Sequence, residues 1–558
     1  MCDFLLEKGK IMLITELLER NARLYGADTA LVEINPSEDR DKAVTWREAS
    51  LIESASKKVP YRRELSWRDF DRRANRFANL LLSRGFKRED KVAILLMNCL
   101  EFLPIYFGIL KAGLIVVPMN YRYSSDEIKY CLDLADVDAI IFGEEFIERM
   151  NAIKDDIPRT KLKLYLGEET DTPNYAENIQ NLCVYYSSSC PPIELKQEDH
   201  AAIYFSSGTT GFPKAILHNH KALISSCLTE QNHHQQSKDD CFLCIPPLYH
   251  TGAKMHWFGS LLSGSKAVLL RGIKPKWILR TITEEHCTIV WLLVPWAQDM
   301  LDAIDRKEIN LDDYLLDQWR LMHIGAQPVP PSLIKRWKKI FPNHEYDTNY
   351  GLSESLGPGC VHLGVENINK VGAIGKPGYL WEAKVVDENL NEVETNEVGE
   401  LMVKGPGVML EYYKNPEATA EIKKGDWLLT GDMAKIDEDG FIYLVDRKKD
   451  VIITGGENLY PVQIEDFLRA HDKIKDVAVI GLPDKRLGEI AAAIIEVKEG
   501  ESLSEEEVNA FTEALPRYKR PKKIIFEKIP RNPTGKIEKP VLRERYCHGR
   551  LVENEINS

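Results

Sequence analysis

Between about residues 90 and 350 the chain alternates short, apolar, β-rich runs with helical stretches, and this pattern limits its fold more than any other feature. VAILLM is followed by EFLPIYFGILKAG and LIVVPM; later, AAIYF is followed by HKALISSCL and CFLCI. Runs without strict polar alternation suit strands covered on both faces, and the helices between them suit parallel crossovers. A large α/β domain is predicted. After about residue 380, WEAKVV, GELMVKG and FIYLVD are separated by turn signals such as Glu438-Asp439-Gly440, which predicts a smaller β-rich subdomain. VAVIGL, AAAIIEV and KKIIFEKI, with the helical EEEVNAFTEAL, predict a second, small α/β unit at the C-terminal end. The charged run Asp446-Arg447-Lys448-Lys449-Asp450 is the expected boundary, dividing residues 1–447 from 448–558. No internal repeat or low-complexity linker is evident.

Composition removes several function classes. A chain of 558 residues, 44% of them hydrophobic, can bury several cores without disulfides, so its eleven scattered cysteines read as reduced thiols. The 73 Lys and Arg against 86 Asp and Glu leave a formal charge of −13, which offers no general attraction to nucleic acid or an anionic membrane. The apolar stretches Val92 to Met97 and Ile289 to Trp296 fall far short of the roughly 20 residues that span a bilayer. Glu7, Lys8 and Lys10 interrupt the N-terminus, which lacks the apolar core of a secretory signal. A soluble, cytoplasmic protein is expected.

The strongest local motif is SSGTTGFPK, Ser206 to Lys214, directly after the strand-like Ala201 to Phe205. Gly208 and Gly211 let backbone N–H groups turn towards an anion, and Ser206, Ser207, Thr209, Thr210 and Lys214 can contact phosphate oxygens. The glycine spacing and Pro213 exclude a Walker A loop. On composition alone, a solvated Ser/Gly turn is the favoured reading.

SSGTTGFPK, NYGLSE, LLTGD, DRKKD, GGEN and NPTGK, in that order from Ser206 to Lys536, resemble the motifs of the adenylate-forming superfamily. That superfamily comprises acyl-CoA synthetases, luciferases and peptide-synthetase adenylation domains. The resemblance implies a large α/β domain with a mobile C-terminal lid. It also implies a two-step ligase: a carboxylate and ATP give acyl-AMP and pyrophosphate, then a thiol displaces AMP. ATP and CoA would be co-substrates and Mg2+ the cofactor. The resemblance implies a nucleotide site of the 206–214 loop, Gly325-Ala326-Gln327, Asn349-Tyr350-Gly351, Ser353, Asp432 and Arg447. In it Tyr350 stacks on adenine, Ser353 meets the α-phosphate, Glu354 holds Mg2+ and Asp432 accepts the ribose hydroxyls. Serine stands at 353 where threonine is commoner in the family. Lys536, in Asn532-Pro533-Thr534-Gly535-Lys536, matches the catalytic lysine, Lys449 the hinge, and Gly455-Gly456-Glu457 the loop that admits the pantetheine arm.

PPLYHTG, Pro246 to Gly252, resembles the acyl-CoA synthetase segment whose aromatic residue, here His250, separates the acyl pocket from the ATP and CoA approaches. Amino-acid-activating members of the family it resembles usually place an aspartate near here to hold the substrate ammonium, and none occurs from Pro246 to Gly259, so the resemblance favours an apolar acid over an amino acid. Met255, Trp257, Gly259 and Leu352 are expected to line the pocket, with the Trp257 indole restricting it to a short, medium, branched or cyclic acid. The alternative is an enzyme that loads an amino or aryl acid onto a separate carrier protein. Either a monomer or a homodimer is compatible with the sequence. Three other features read as structural: Cys241-x-x-Cys244 as core packing, His233-His234 in EQNHHQQSKDD as a solvated loop, and Arg517 to Lys523 as a wet basic surface.

Overall fold

Runs that read as continuously apolar become strands buried on both faces, among them Lys91–Leu95, Cys241–Cys244, Ile289–Leu293 and Leu321–Gly325. The computed structural model describes residues 6–7, 10–36, 61–206, 213–325, 329–454, 457–531 and 537–547. Two large sheets form the α/β part. One has eight strands, with Lys91–Leu95, Ile115–Pro118, Ala139–Gly143, Leu162–Leu166 and His200–Ser206 parallel and Lys214–Asn219 turning back antiparallel beside His200–Ser206. The other has seven, ordered Glu345–Asp347, Leu321–Gly325, Ile289–Leu293, Cys241–Cys244, Lys266–Leu270, Thr29–Ile34 and Arg62–Ser66, with antiparallel pairing only between the last two.

Two buried helices pack among these sheets. His220–His234 starts at Asn219, whose side chain accepts from the Ala222 N–H at 3.0 Å, and ends at Gln235 in the left-handed region. Thr251–Ser263 ends at Gly264, whose φ of +74° suits glycine. Both helices are buried around most of their circumference, so neither shows a polar outer stripe. Thus HKALISSCL continues as helix through the polar NHH segment, and His233-His234 is not a solvated loop. His234 is 2% exposed. The polarity of the run hides its helical register, which sets Glu230 and His234 on one inward face. The thiols of Cys241 and Cys287 approach to 3.9 Å in the core, as packed cysteines.

The predicted β-rich part is an antiparallel sheet of Glu382–Val386, Gly399–Lys404, Trp427–Ile436 and Lys423–Lys424, with Ile442–Arg447 paired to Trp427–Ile436. The C-terminal α/β unit has its own sheet, in which Gly488–Val497 pairs with Ile474–Asp484 and, in parallel, with Lys523–Phe526. Its apolar clusters are separate from those of the large sheets. Among the described residues no helix is long and apolar enough to cross a membrane.

Candidate active site

Strand register builds the site. Ser206 faces Lys214 across an antiparallel pair, so the two ends of the glycine-rich loop are held together by sheet hydrogen bonds. Ser207, Gly208, Thr209, Thr210 and Gly211 lie outside the described residues. The Lys214 ammonium sits 4.6 Å from the centre of the Tyr412 ring, a cation–π contact, and the Tyr412 hydroxyl donates to Glu354 Oε1 at 2.8 Å. Tyr412 therefore links the phosphate-loop lysine to the candidate Mg2+ carboxylate. Its own strand, Glu411–Tyr412, pairs with Lys214–Asn219, and no motif in the sequence marked it. Burial pushes the Glu354 carboxyl up from its ordinary range, while Tyr412, Lys214 and Arg447 act in the opposite sense.

Glu354 and Ser353 sit in the short turn Ser353–Ser355, which is pinned from behind. His218 Nε2 donates to the Ser353 carbonyl at 2.8 Å, and because a carbonyl only accepts, this nitrogen carries the proton. Burial lowers the His218 pKa to about 4, so the ring is neutral at pH 7. No motif marks His218 either. It lies four residues beyond Lys214 on the same strand, facing the same way, and that alternation is the one signal of it in the sequence. His218→Leu is expected to remove one of the two donors to the Ser353 carbonyl, which also accepts from the Leu356 N–H at 3.1 Å, and to lower unfolding free energy by about 0.5–1.5 kcal/mol. Denaturant titration of the purified variant measures this, and an unchanged midpoint would remove His218 from the scaffold.

On the other side of the nucleotide motif, Tyr350 in Asn349–Leu352 donates its hydroxyl to Asp432 Oδ2. Asp432 faces Arg447 across the antiparallel pair, with Arg447 Nε 3.6 Å from Asp432 Oδ1. Burial raises the Asp432 pKa, opposed by Arg447 and by the Tyr350 hydrogen bond. Gly431 has φ of +74°, a conformation that spares a Cβ strain and turns Asp432 inward. Leu352, half-buried, packs on the cluster around Tyr350 and Val361. Gly351 is the half-buried residue between them.

Gly325 ends its strand where a Cβ would make only ordinary contacts among the described residues, with Asn349 oxygens at 3.8 Å and Trp291 Nε1 at 3.9 Å. The Asn349 side-chain nitrogen is buried without a partner among the described residues. Ala326 and Gln327 lie outside the described residues. His250 is the N-cap of Thr251–Ser263, its Nδ1 accepting from the Gly252 N–H at 3.1 Å, and burial lowers its pKa to about 4. Met255 lies against Gly357, and Gly259 against Gln236 and Glu230.

Trp257 does not join this group. It packs against Phe70 and Phe107, with ring centres 5.9 and 5.8 Å away. At about 100° per residue it points to a different sector of the helix from Gly252 and His256. The indole facing Gly252 and Gly325 is Trp291, from the neighbouring strand; a Cβ on Gly252 would stand 2.8 Å from its edge.

Lys449 is exposed in the turn Lys448–Asp450, between strands Ile442–Arg447 and Ile452–Thr454. Its neighbours are tied down: Asp446 accepts from the Val462 N–H at 2.9 Å, and Asp450 from Arg543 at 2.7 Å. Burial pushes the Asp446 carboxyl up to about 6. Glu457 begins strand Glu457–Leu459, while Gly455, Gly456 and Lys536 lie outside the described residues. Arg531 and Ile537, which flank the NPTGK segment, are joined by an isolated antiparallel bridge.

A family model described as AMP-binding enzyme matches residues 18–413, and another, AMP-binding enzyme C-terminal domain, matches 463–536. The chain is 32% identical over 475 residues to the long-chain-fatty-acid–CoA ligase FadD13 of Mycobacterium tuberculosis, spanning 85% of this chain and 91% of that protein. It is 32% identical over 489 residues to 4-hydroxybutyrate–CoA ligase 2 of Metallosphaera sedula, spanning 84% and 87% respectively. The crystal structure of ATP-bound MatB from Rhodopseudomonas palustris matches with a TM-score of 0.82 at 26% identity, covering 96% of this chain and 99% of that one. With matches over both regions of the sequence and relatives aligned along more than four fifths of it, the chain belongs to the AMP-binding enzyme family, among the acyl-CoA synthetases of the adenylate-forming superfamily.

Proposed function

We propose that this chain activates a short, medium, branched or cyclic carboxylic acid with ATP and transfers the acyl group to CoA. The observation that carries the reading is the pair of carboxylates, Glu354 and Asp432, set between Lys214 and Arg447 within one electrostatic neighbourhood. In the first step a carboxylate oxygen forms a bond to the α-phosphorus as the bond to pyrophosphate breaks. The reactants repel, so catalysis depends on neutralising phosphate charge and holding the acid in line. Lys214 and the 206–214 loop grip the outer phosphates, Ser353 meets the α-phosphate, and Lys536 bridges the attacking oxygen and that phosphate. Asp432 takes the ribose hydroxyls, with Arg447 beside it, and Tyr350 and Gly325 border the adenine.

The chemistry of Glu354 suits Mg2+: a hard carboxylate oxygen whose burial disfavours ionisation without a cation. Mg2+ bound there would neutralise phosphate charge. In the second step the CoA sulfur attacks the acyl carbon, AMP leaves, and the thiol proton passes to solvent or base. We assign residues 448–558 as a lid that turns about Lys449 between the two steps, bringing Lys536 and then Gly455-Gly456-Glu457 to the site. Free thiols throughout the described residues suit a reducing compartment, and we place the enzyme in the cytoplasm.

ATP–pyrophosphate exchange over a panel of acids, followed by mass detection of free acyl-CoA, tests the function. Exchange with no acyl-CoA, but with acylation of a supplied carrier protein, would replace it with the carrier-loading alternative. Trp291 sets the acid's size in this reading. Trp291→Ala is expected to shift kcat/KM towards bulkier acids by about tenfold or more, the scale of one to two methylenes in an apolar pocket. Trp257→Ala is expected to lose about 3–5 kcal/mol of stability as a core truncation and to keep the order of acid preference. The reverse assignment of effects would restore Trp257 to the pocket.

A further inference from the structure

Behind the site, four imidazoles and two carboxylates share a fully enclosed space. The seven-stranded sheet starts the arrangement: Trp291, His323 and Asp347 are register partners on adjacent parallel strands, so their side chains leave the same face in a row. Helix His220–His234 covers that face with Glu230 and His234, and Thr251–Ser263 adds His256. His362 arrives from strand Gly357–His362. Every one of these six ionisable residues is at most 3% exposed.

Three ligand-type atoms, from His234, Asp347 and His362, lie within 4.8 Å of one another, and His323 stands against two of these residues. His234 Nε2 is 3.1 Å from His323 Nδ1 and 3.4 Å from Asp347 Oδ2. Asp347 Oδ2 is 3.1 Å from His362 Nδ1 and 3.7 Å from His323 Nδ1. Ligands bound tetrahedrally to zinc at about 2.0–2.1 Å stand about 3.3 Å apart, and these four separations lie near that spacing. Hydrogen bonding alone serves the group poorly. The close nitrogen pair of His234 and His323 needs one bare nitrogen, yet both rings also face the same Asp347 oxygen, which wants N–H donors. Charge poses a second problem. The ion-pair partners of Glu230 and Asp347 among the described residues are all imidazoles, so two buried negative charges lack a permanent cation.

We propose that His234, His323, Asp347 and His362 form a structural site for a divalent transition metal of the zinc type. One dication balances both carboxylates and takes the lone pairs of His234, Asp347 and His362, with the His323 ring shifting towards His362 to supply the fourth. Glu230 stands behind these ligands: its carboxylate accepts from His256 Nδ1 at 2.7 Å and lies 3.6 Å from His234 Nδ1 and 3.9 Å from His362 Nε2, so that a small adjustment would let it orient metal-bound imidazoles. The remaining Asp347 oxygen accepts from the Gly364 N–H at 3.0 Å. Four protein ligands close the shell, as in structural rather than catalytic zinc sites. The ion would tie the end of a helix to three strands, two residues before Gly325 through His323 and two before Asn349 through Asp347. It would thereby brace the strand ends that border the nucleotide. The proposal does not depend on which acid is activated.

Because the site is enclosed, the metal must enter during folding. The full-length protein should therefore be expressed with added Zn2+, dialysed against EDTA, and analysed for metal by plasma mass spectrometry. About one zinc per chain is expected, with X-ray absorption showing three imidazole nitrogens and one oxygen as neighbours. Protein made in Co2+ medium should show the visible bands of tetrahedral cobalt. His362→Gln and Asp347→Asn should each lower retained zinc severalfold and lower Tm, and wild type refolded without metal should melt below wild type refolded with Zn2+. Wild type that retains no zinc from either route, or zinc whose neighbours include sulfur, would overturn the proposal whether or not the variants fold. Retention of a full equivalent by a folded His362→Gln, Asp347→Asn double variant would also overturn it.

Discussion

Lys536→Ala is expected to slow acyl-adenylate formation by about a hundred- to a thousandfold, the scale set by losing one preorganised donor to a developing negative charge. During adenylation the charge on the α-phosphate oxygens grows as the carboxylate attacks. A cation bridging both oxygens gains more in that transition state than with the separate substrates, so the loss should fall on kcat rather than on the KM for ATP. The second step offers an internal control. Supplied with preformed acyl-AMP and CoA, the variant should make acyl-CoA at a rate near that of wild type, because the thiol attack does not involve the same bridge. Single-turnover measurement of both half-reactions separates the outcomes. Equal slowing of the two would mean that Lys536 supports the fold or the lid rather than adenylation, and full-rate adenylation would remove it from the site.

Glu354→Gln should produce the next largest loss, about a hundredfold in kcat/KM for ATP, since removing one member of a buried charge cluster costs about 2–5 kcal/mol. The amide keeps the shape of the carboxylate and can still accept from Tyr412, so the loss reports charge rather than packing. A magnesium titration distinguishes this role, with half-saturation moving to higher Mg2+ in the variant. The pH profile gives a second readout. Burial raises the Glu354 pKa, and the ionised form is the one required, so wild-type kcat/KM should fall on the acid side at a pH above the ordinary carboxylate range. Glu354→Gln should lose that limb. An identical magnesium dependence and acid limb in wild type and variant would reassign the ion to another residue.

The sequence carried the fold class because a strand buried on both faces has no polar alternation, and Lys91–Leu95, Cys241–Cys244 and Leu321–Gly325 could be read directly from composition and spacing. It marked Lys214, Glu354, Asp432 and Arg447 as candidates because loops and turns that handle phosphate leave local signatures of glycine, hydroxyl and charge, and the structure sets Lys214 and Glu354 on Tyr412 and Asp432 beside Arg447. Residues that act across the fold leave none. Tyr412 links Lys214 to Glu354 from an edge strand nearly 200 residues beyond the loop, and His218 pins the Ser353 turn from the strand behind it. Their identities are those of ordinary buried aromatics.

Trp257 and His234 mark where local reading ends. A tryptophan beside a pocket motif and a histidine pair in a polar run each suggest an answer, and both answers depend on a helix whose phase the sequence leaves open. Once the helices are seated, Trp257 turns to Phe70 and Phe107, while His234 turns to Asp347. By itself the sequence determined the layers and the family and marked the candidate phosphate-binding residues, because these rest on short-range periodicity and contiguous motifs. Only the tertiary structure decided which indole lies beside Gly252 and Gly325 and which histidines meet, because side-chain direction comes from helical phase and strand register between segments far apart in the chain.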